Sequence, residues 1–176
     1  MVPCMALGGW RTLWRANLVY AKFVFSHWCI SPFFTVISQI IHFSVKYGKL
    51  ETFLSGTYSS IYHLELDLYK NDGSILFSDY LMMKTTDGNT TETIVGTTSS
   101  GYQEGKGSAA RFNGIRGFTQ ISETNVAIVD HSSHCLRMLN RKTQSTSRLA
   151  GVCTTAGNVN GKSGRFNSPW GVVLVP

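Results

Sequence analysis

An internal repeat constrains this chain more than any other feature. Arg111-Phe112-Asn113 followed by Gly117-Phe118 recurs as Arg165-Phe166-Asn167 followed by Gly171-Val172, the same spacing displaced by 54 residues. Gly105-Lys106 and Gly161-Lys162 stand just before the two copies. Ile94-Val95-Gly96 returns as Leu149-Ala150-Gly151, and Ile75 to Asp79 returns as Val126 to Asp130, at offsets of 55 and 51. A chain with such a period folds as neighbouring copies of one small unit, none of which can bury its apolar face alone.

Each unit reads as short strands separated by turns. Gly117 to Ile121, Asn125 to Asp130, Cys135 to Leu139 and Thr146 to Val152 are strand-like, and the stretches between them are polar turns. Four strands per roughly fifty-residue unit predict a propeller blade. Residues 85 to 125 are rich in Gly, Thr, Ser and Asn and show no sustained helical period, which argues against a helical solenoid. With 43% hydrophobic residues the chain can bury a core, so disorder is excluded. The expectation is an all-β domain over 51–176, with blades near 62–96 and 97–153 and a partial blade over 154–176. About two four-stranded blades plus an extra strand do not close a ring. The domain is therefore expected to be a fragment of a larger propeller, or to associate with further blades.

The first fifty residues differ in style. Phe23 to Val45 is a run of 23 residues with no Asp, Glu, Lys or Arg. As a helix it would rise about 34 Å, enough to cross a hydrocarbon core of roughly 30 Å. Arg11, Arg15 and Lys22 precede it, and Lys46 and Lys49 follow. His27, His42, Gln39 and Pro32 weaken it as a membrane segment. Three readings of this leader, 1–50, stay open: a helical membrane anchor or uncleaved signal, a cleaved signal, and a soluble leader foreign to the fold. Cys4 and Cys29 within it carry no information.

Charge placement removes the obvious reading of the net charge of +6. Residues 1–50 hold +5 of it, so the repeat region is nearly neutral and lacks a general phosphate-binding field. Within that region 51–130 carries −5 and 131–176 carries +6, halves expected to neutralise one another on contact.

The run Ala110-Arg111-Phe112-Asn113-Gly114-Ile115-Arg116-Gly117-Phe118, then Val126 to Asp130, then His134-Cys135-Leu136-Arg137, then Leu149-Ala150-Gly151, resembles an NHL-repeat blade. The family pattern runs ARFNxPxG, an apolar strand ending in Asp, NHRIR, and a strand ending in LAG. Ser133 and Cys135 replace the Asn and the first Arg of NHRIR. Pro169 keeps the family proline in the second copy, where Ile115 stands in the first. In the earlier blade Leu81-Met82-Met83-Lys84 takes the place of NHRIR. The resemblance is specific over 105–176 and faint before 65.

It implies a structural role for Arg111, Phe112, Asn113, Gly117, Asp130, His134, Arg165, Phe166, Asn167 and Gly171. The two phenylalanines would fill space between blades, and the two glycines would allow close backbone approach. Asp79 and Asp130 would accept backbone N–H bonds in the turns that follow them, with His134 bonding the same turn. Cys135 and Cys153 flank residue 144; a hairpin turning there would set them nearly opposite, and a small register shift would spoil the pairing. Two free thiols are the alternative. The likeness to extracellular NHL-type repeats favours the disulfide, and with it an oxidising compartment. Asn89-Thr90-Thr91 is a candidate glycosylation sequon. Gly105 to Ala110 imitates a nucleotide fingerprint but reads as a repeat loop.

No catalytic, cofactor or metal site is expected. Function is expected to be that of a non-enzymatic interaction scaffold for a protein or glycan, outside the cell or tethered to a membrane, without nucleic acid. One alternative is a metal-dependent NHL-like lyase, for which His63, His131 and His134 are too few. The other is a cytosolic propeller that binds RNA or serves a ubiquitin ligase.

Overall fold

The computed structural model describes residues 13–15, 18–27, 37–44, 49–58, 60–70, 72–161 and 164–175. The chain divides into two compact units, Met1–Ser59 and Ser60–Pro176. In the first unit, β1 (Leu13–Arg15), β2 (Leu18–His27), β3 (Ile37–Ser44) and β4 (Lys49–Thr57) form an antiparallel meander in chain order. The helix expected over 23–45 is therefore corrected. Residues 23–27 belong to β2 and 37–44 to β3, with Phe23 opposite Ile41 and Phe25 opposite Gln39. The physical reason is composition: the run is rich in Phe, Val and Ile, which favour strands, with no Ala, Leu, Glu or Lys to favour a helix. Among the described residues no helix is long and apolar enough to cross a membrane, which leaves spanning by strands untouched. Residues 28–36, with Cys29 and Pro32, and the stretch holding Cys4 lie outside the described residues.

The second unit holds two four-stranded meanders: β5 (Ile61–Leu66), β6 (Ile75–Asp79), β7 (Met82–Thr86) and β8 (Thr91–Gly96), then β9 (Ile115–Gln120), β10 (Asn125–Asp130), β11 (Cys135–Asn140) and β12 (Ser145–Ala150). The architecture is all-β and that of a partial propeller. β6 is buried along its whole length and β10 along all but Asn125, as suits strands covered on both faces. Leu76, Met83, Ile94 and Val95 of one sheet pack with Phe112, Ile115, Phe118, Val126, Ile128 and Leu139 in one core cluster. Neither sheet has a separate core, which is the mutual dependence that a repeat imposes.

The two blades share irregularities as well as strands. Lys84 pairs with Phe77 and Arg137 with Ile128, in each case two residues before the strand-ending aspartate. In each outer hairpin one residue is skipped: Ile94 between the Met83 and Lys84 pairings, Leu149 between those of Leu136 and Arg137. Gly96 (φ +101°) and Gly151 (φ +88°) then turn the chain back. A Cβ on Gly96 would lie 2.3 Å from the Leu81 carbonyl oxygen, and one on Gly151 3.0 Å from that of His134. Here glycine is required twice over, by the dihedral and by space.

Asp79 and Asp130 do accept backbone N–H bonds, but not in the turns after them. Asp79 accepts from Ser60 N–H (3.3 Å) and Asp130 from Asn113 N–H (2.8 Å), both on the chain that leads into the innermost strand. Each aspartate also faces the cation of the third strand, Lys84 at 2.7 Å and Arg137 at 3.3 Å. Lys84 thus fills the place of the final arginine in the motif, a correspondence hidden by the lost NHRIR letters. Arg141 pairs with the buried Asp67, and Arg137 also with Glu104. The acidic and basic halves of the sequence meet in these pairs.

Cys135 and Cys153 form a disulfide with their Cα atoms 5.0 Å apart. The route differs from that expected. The hairpin turns between Asn140 and Ser145, centred before residue 144, and the skipped Leu149 shifts the register. The left-handed Gly151 then bends the chain, and Thr154 N–H bonds the Ser133 carbonyl (2.7 Å), which brings Cys153 back beside Cys135. Closing this loop of 18 residues stabilises the fold by about 3 kcal/mol through the unfolded chain. Replacing both cysteines by serine is expected to lower the unfolding free energy by that amount in denaturant titration. Peptide mapping without reductant is expected to recover one linked peptide pair.

Candidate functional site

β5, β9 and the segment at 169–172 are the same element in three successive repeats, since Ile61, Ile115 and Pro169 occupy one position. The next position holds Tyr62, Arg116 and Trp170. The structure brings these three together: the Arg116 guanidinium carbon lies 3.8 Å from the centre of the Tyr62 ring and 5.0 Å from the Trp170 ring. Tyr80, in the turn between β6 and β7, is 5.8 Å away on the same cation. His131, in the turn between β10 and β11, meets Trp170 edge-on at 5.2 Å. The result is a row of one cation among aromatic rings, the arrangement in which a ring's negative face attracts a guanidinium.

The backbone explains the row. Asp130 pairs with Ile115 and Val129 with Gly117, so Arg116 is the extra residue of a β-bulge, a feature that re-aims a side chain out of the regular alternation. The paired strand in the first blade is displaced at the same place, between Ile61 and Leu64. Gly117 lets the next repeat approach: a Cβ there would lie 2.9 Å from the Trp170 carbonyl oxygen. At Gly171 the same test meets open space among the described residues. Turns from the preceding blade then fix the entering chain, through Ile115 N–H to the Tyr80 carbonyl (2.6 Å) and Ser168 N–H to His134 Nδ1 (3.1 Å). His134 thus bonds its own turn through its backbone N–H, on the His131 carbonyl (3.1 Å), and the following repeat through its ring.

Exposure and charge single out the row. Trp170 is 63% exposed and Tyr62 38%, while Arg116 is half-buried and its Nε is shielded from water without a partner. Lys84, Arg137 and Arg141 each have a carboxylate; Arg116 has none among the described residues. Burial, then the charge of Arg116 and then His134, push the His131 imidazole below its ordinary value, so it is neutral at neutral pH. The row was missed in the sequence because its members differ chemically. The available signal was the large side chain standing before the repeated glycine in both copies, Arg116 before Gly117 and Trp170 before Gly171.

Phe112 is fully buried under the Arg137 guanidinium, 4.1 Å from its ring centre, while Phe166 is half-buried against Gly151. Their backbones repeat the same wiring, with Gly101 N–H to the Phe112 carbonyl and Gly157 N–H to that of Phe166, both 3.0 Å. Arg111 and Arg165 are exposed and pair through their backbones with Gln103 and Val159. The Asn113 carbonyl accepts from Ser132 N–H at 3.1 Å, and Asn167 is exposed. The fingerprint-like Gly105 to Ala110 is tied to β12, with Thr146 N–H on the Gly105 carbonyl and Gly107 N–H on that of Gln144, both 2.9 Å.

His63 lies apart from His131 and His134, edge-on to Phe118 at 4.7 Å and 3.1 Å from Glu65. Asn89 is exposed at the tip of the β7–β8 hairpin, whose Asp87 accepts N–H bonds from Asn89 and Thr90 and so sits below the usual carboxylate range. Asp72 is lowered likewise by Ser74. Asp72 and Asp87 line a polar groove together with Lys70, Thr85 and Glu92; both aspartates are occupied by their own turns, so the aromatic row is the stronger candidate.

No family model matches the chain, and no curated protein matches it. Its fold is similar to that of several solved structures. One is an auxiliary nutrient binding protein from Bacteroides thetaiotaomicron, at 15% identity and a TM-score of 0.60 over 78% of this chain and 39% of that one. Another, from the same organism, is described as of unknown function, at 18% identity and a TM-score of 0.65 over 88% and 50%. A third is an auxiliary nutrient binding protein from Bacteroides ovatus, at 17% identity and a TM-score of 0.62 over 79% and 40%. At these identities the likeness is one of fold, and the chain spans half or less of the length of each.

Proposed function

We propose that this chain is a non-enzymatic, NHL-type propeller module that binds a glycan at the Tyr62–Arg116–Trp170 row, in an oxidising compartment outside the cell. The observation that carries the reading is the row itself: one position, in three successive repeats, offers partly exposed rings around a cation that no carboxylate among the described residues neutralises. Exposed aromatic faces with a polar edge are suited to ligands that are apolar on one side and wet on the other. A protein partner is the lesser reading, because a stable protein interface covers about 800 Å² on each side and this row is three side chains wide. The description of two fold neighbours as nutrient binding proteins agrees with a small-ligand role. The disulfide agrees with the compartment. Exposed Val173, Leu174 and Val175 offer an apolar edge that further blades, of this chain or another, would cover.

Binding of an oligosaccharide panel to the full chain, read by isothermal titration calorimetry, tests the proposal. At least one saccharide is expected to bind, and Trp170→Ala to weaken it by about tenfold or more, the loss of roughly 1.4 kcal/mol of stacking. Failure of every saccharide, or unchanged binding by the Trp170 variant, would refute it.

A further inference from the structure

We infer that the ligand of the row is a carboxylated saccharide, its sugar ring stacked on the exposed face of Trp170 and its carboxylate held by the Arg116 guanidinium. The inference rests on the glycan reading above and names the chemistry that the row selects. Among the described residues of the second unit, four lysine or arginine side chains lie wholly or partly inside the protein: Lys84, Arg116, Arg137 and Arg141. Three of them are neutralised, by Asp79, Asp130 and Asp67. Arg116 alone meets rings instead of an acid.

Rings stabilise a guanidinium but accept none of its in-plane hydrogen bonds. Arg116 therefore keeps a planar fork of donors, one of them already stripped of water, beside the most exposed aromatic surface among the row's members. A carboxylate matches that fork with two parallel bonds. Partial burial strengthens the attraction relative to a guanidinium in open water. The neighbouring groups agree. His131 is neutral and bonded to Ser132 Oγ at 3.2 Å, so it adds no second positive charge. Asp79 and Asp130, the acids that end the strands beside the row, are buried and paired, so no exposed acid of theirs repels an anion. With one cation the row suits a single carboxylate better than a phosphate chain, which is gripped by several basic groups.

The full chain titrated with oligogalacturonate, with its methyl ester and with polyglutamate separates the outcomes. Oligogalacturonate is expected to bind about tenfold or more tightly than the ester, one charge-assisted hydrogen-bond pair being worth at least that factor. Arg116→Gln is expected to erase the preference while the ester still binds. Arg116→Lys, which keeps the charge without the fork, is expected to retain only part of it and guards against a folding failure in the glutamine variant. Equal binding of acid and ester would overturn the carboxylate inference and leave the glycan reading standing. Polyglutamate binding as tightly as oligogalacturonate would show a charge site with no sugar preference and overturn it too. Binding by neither saccharide would overturn both.

Discussion

Arg137→Met is expected to lower the unfolding free energy by about 3–5 kcal/mol, the cost of leaving a buried charge without its partner. Arg137 is fully buried, and its guanidinium holds one blade together at five points. It donates to the carbonyls of Arg111 (2.5 Å) and Gln103 (2.7 Å), to Thr146 Oγ1 (2.9 Å), to Glu104 (3.2 Å) and to Asp130 (3.3 Å). Methionine fills much of the volume, so the loss is one of polar satisfaction rather than of packing. Asp130 shows the consequence most sharply. Burial pushes its carboxyl above the ordinary value, while the Asn113 N–H and Arg137 pull it back.

Without Arg137 the upward push is unopposed by charge. A carboxylate whose folded pKa exceeds its unfolded value costs stability when ionised, and that cost is relieved as pH falls through the folded pKa toward the unfolded 3.8. The deficit of the variant is therefore expected to be smaller at pH 5 than at pH 7. Adding Asp130→Asn is expected to recover a large part of it, since the amide oxygen still accepts from Asn113. Denaturant titrations of the single and double variants at the two pH values check both statements. An Arg137 variant as stable as the parent would remove the guanidinium from the centre of the blade.

Phe112→Ala is expected to cost about 3–5 kcal/mol, the range for emptying a fully buried aromatic site. Phe112 sits in the cluster that both sheets share, so the cavity would open between blades, where neither sheet can collapse to fill it without moving the other. Phe166→Ala is expected to cost roughly half as much, because its ring is only half-buried and less apolar surface is returned to water. The Phe112 and Arg137 substitutions are also expected to be non-additive, the guanidinium lying directly on that ring. Urea titration of the three variants and the double variant gives all of these values.

In the second unit β9 to β12 were legible in the sequence to within two residues, because turn residues bound them, and β6 and β10 both end on the repeated aspartate. Asp79, Asp130, Gly96 and Gly151 mark places where only one residue type meets the backbone's demands, so their identity survives in both copies. Lys84 escaped notice for the opposite reason: any long cation can face Asp79, so the arginine was free to change. Arg116 and Trp170 escaped because the position holds a different side chain in each repeat, Tyr62, Arg116 and Trp170. In the first unit total hydrophobicity suggested a membrane-length helix, whereas the abundance of Phe, Ile and Val carried the better signal for β2 and β3. The disulfide was anticipated, but not its path, since a skipped residue such as Leu149 leaves no mark in a sequence.

Cross-strand nuclear Overhauser contacts measured on the isotope-labelled full chain probe the repeated wiring directly. They are expected to place Lys84 opposite Phe77 and Arg137 opposite Ile128, with Ile94 and Leu149 both skipped in the outer hairpins. A register in the β6–β7 pair that differs from that of β10–β11, or helical contacts within any of the strands β5 to β12, would contradict it.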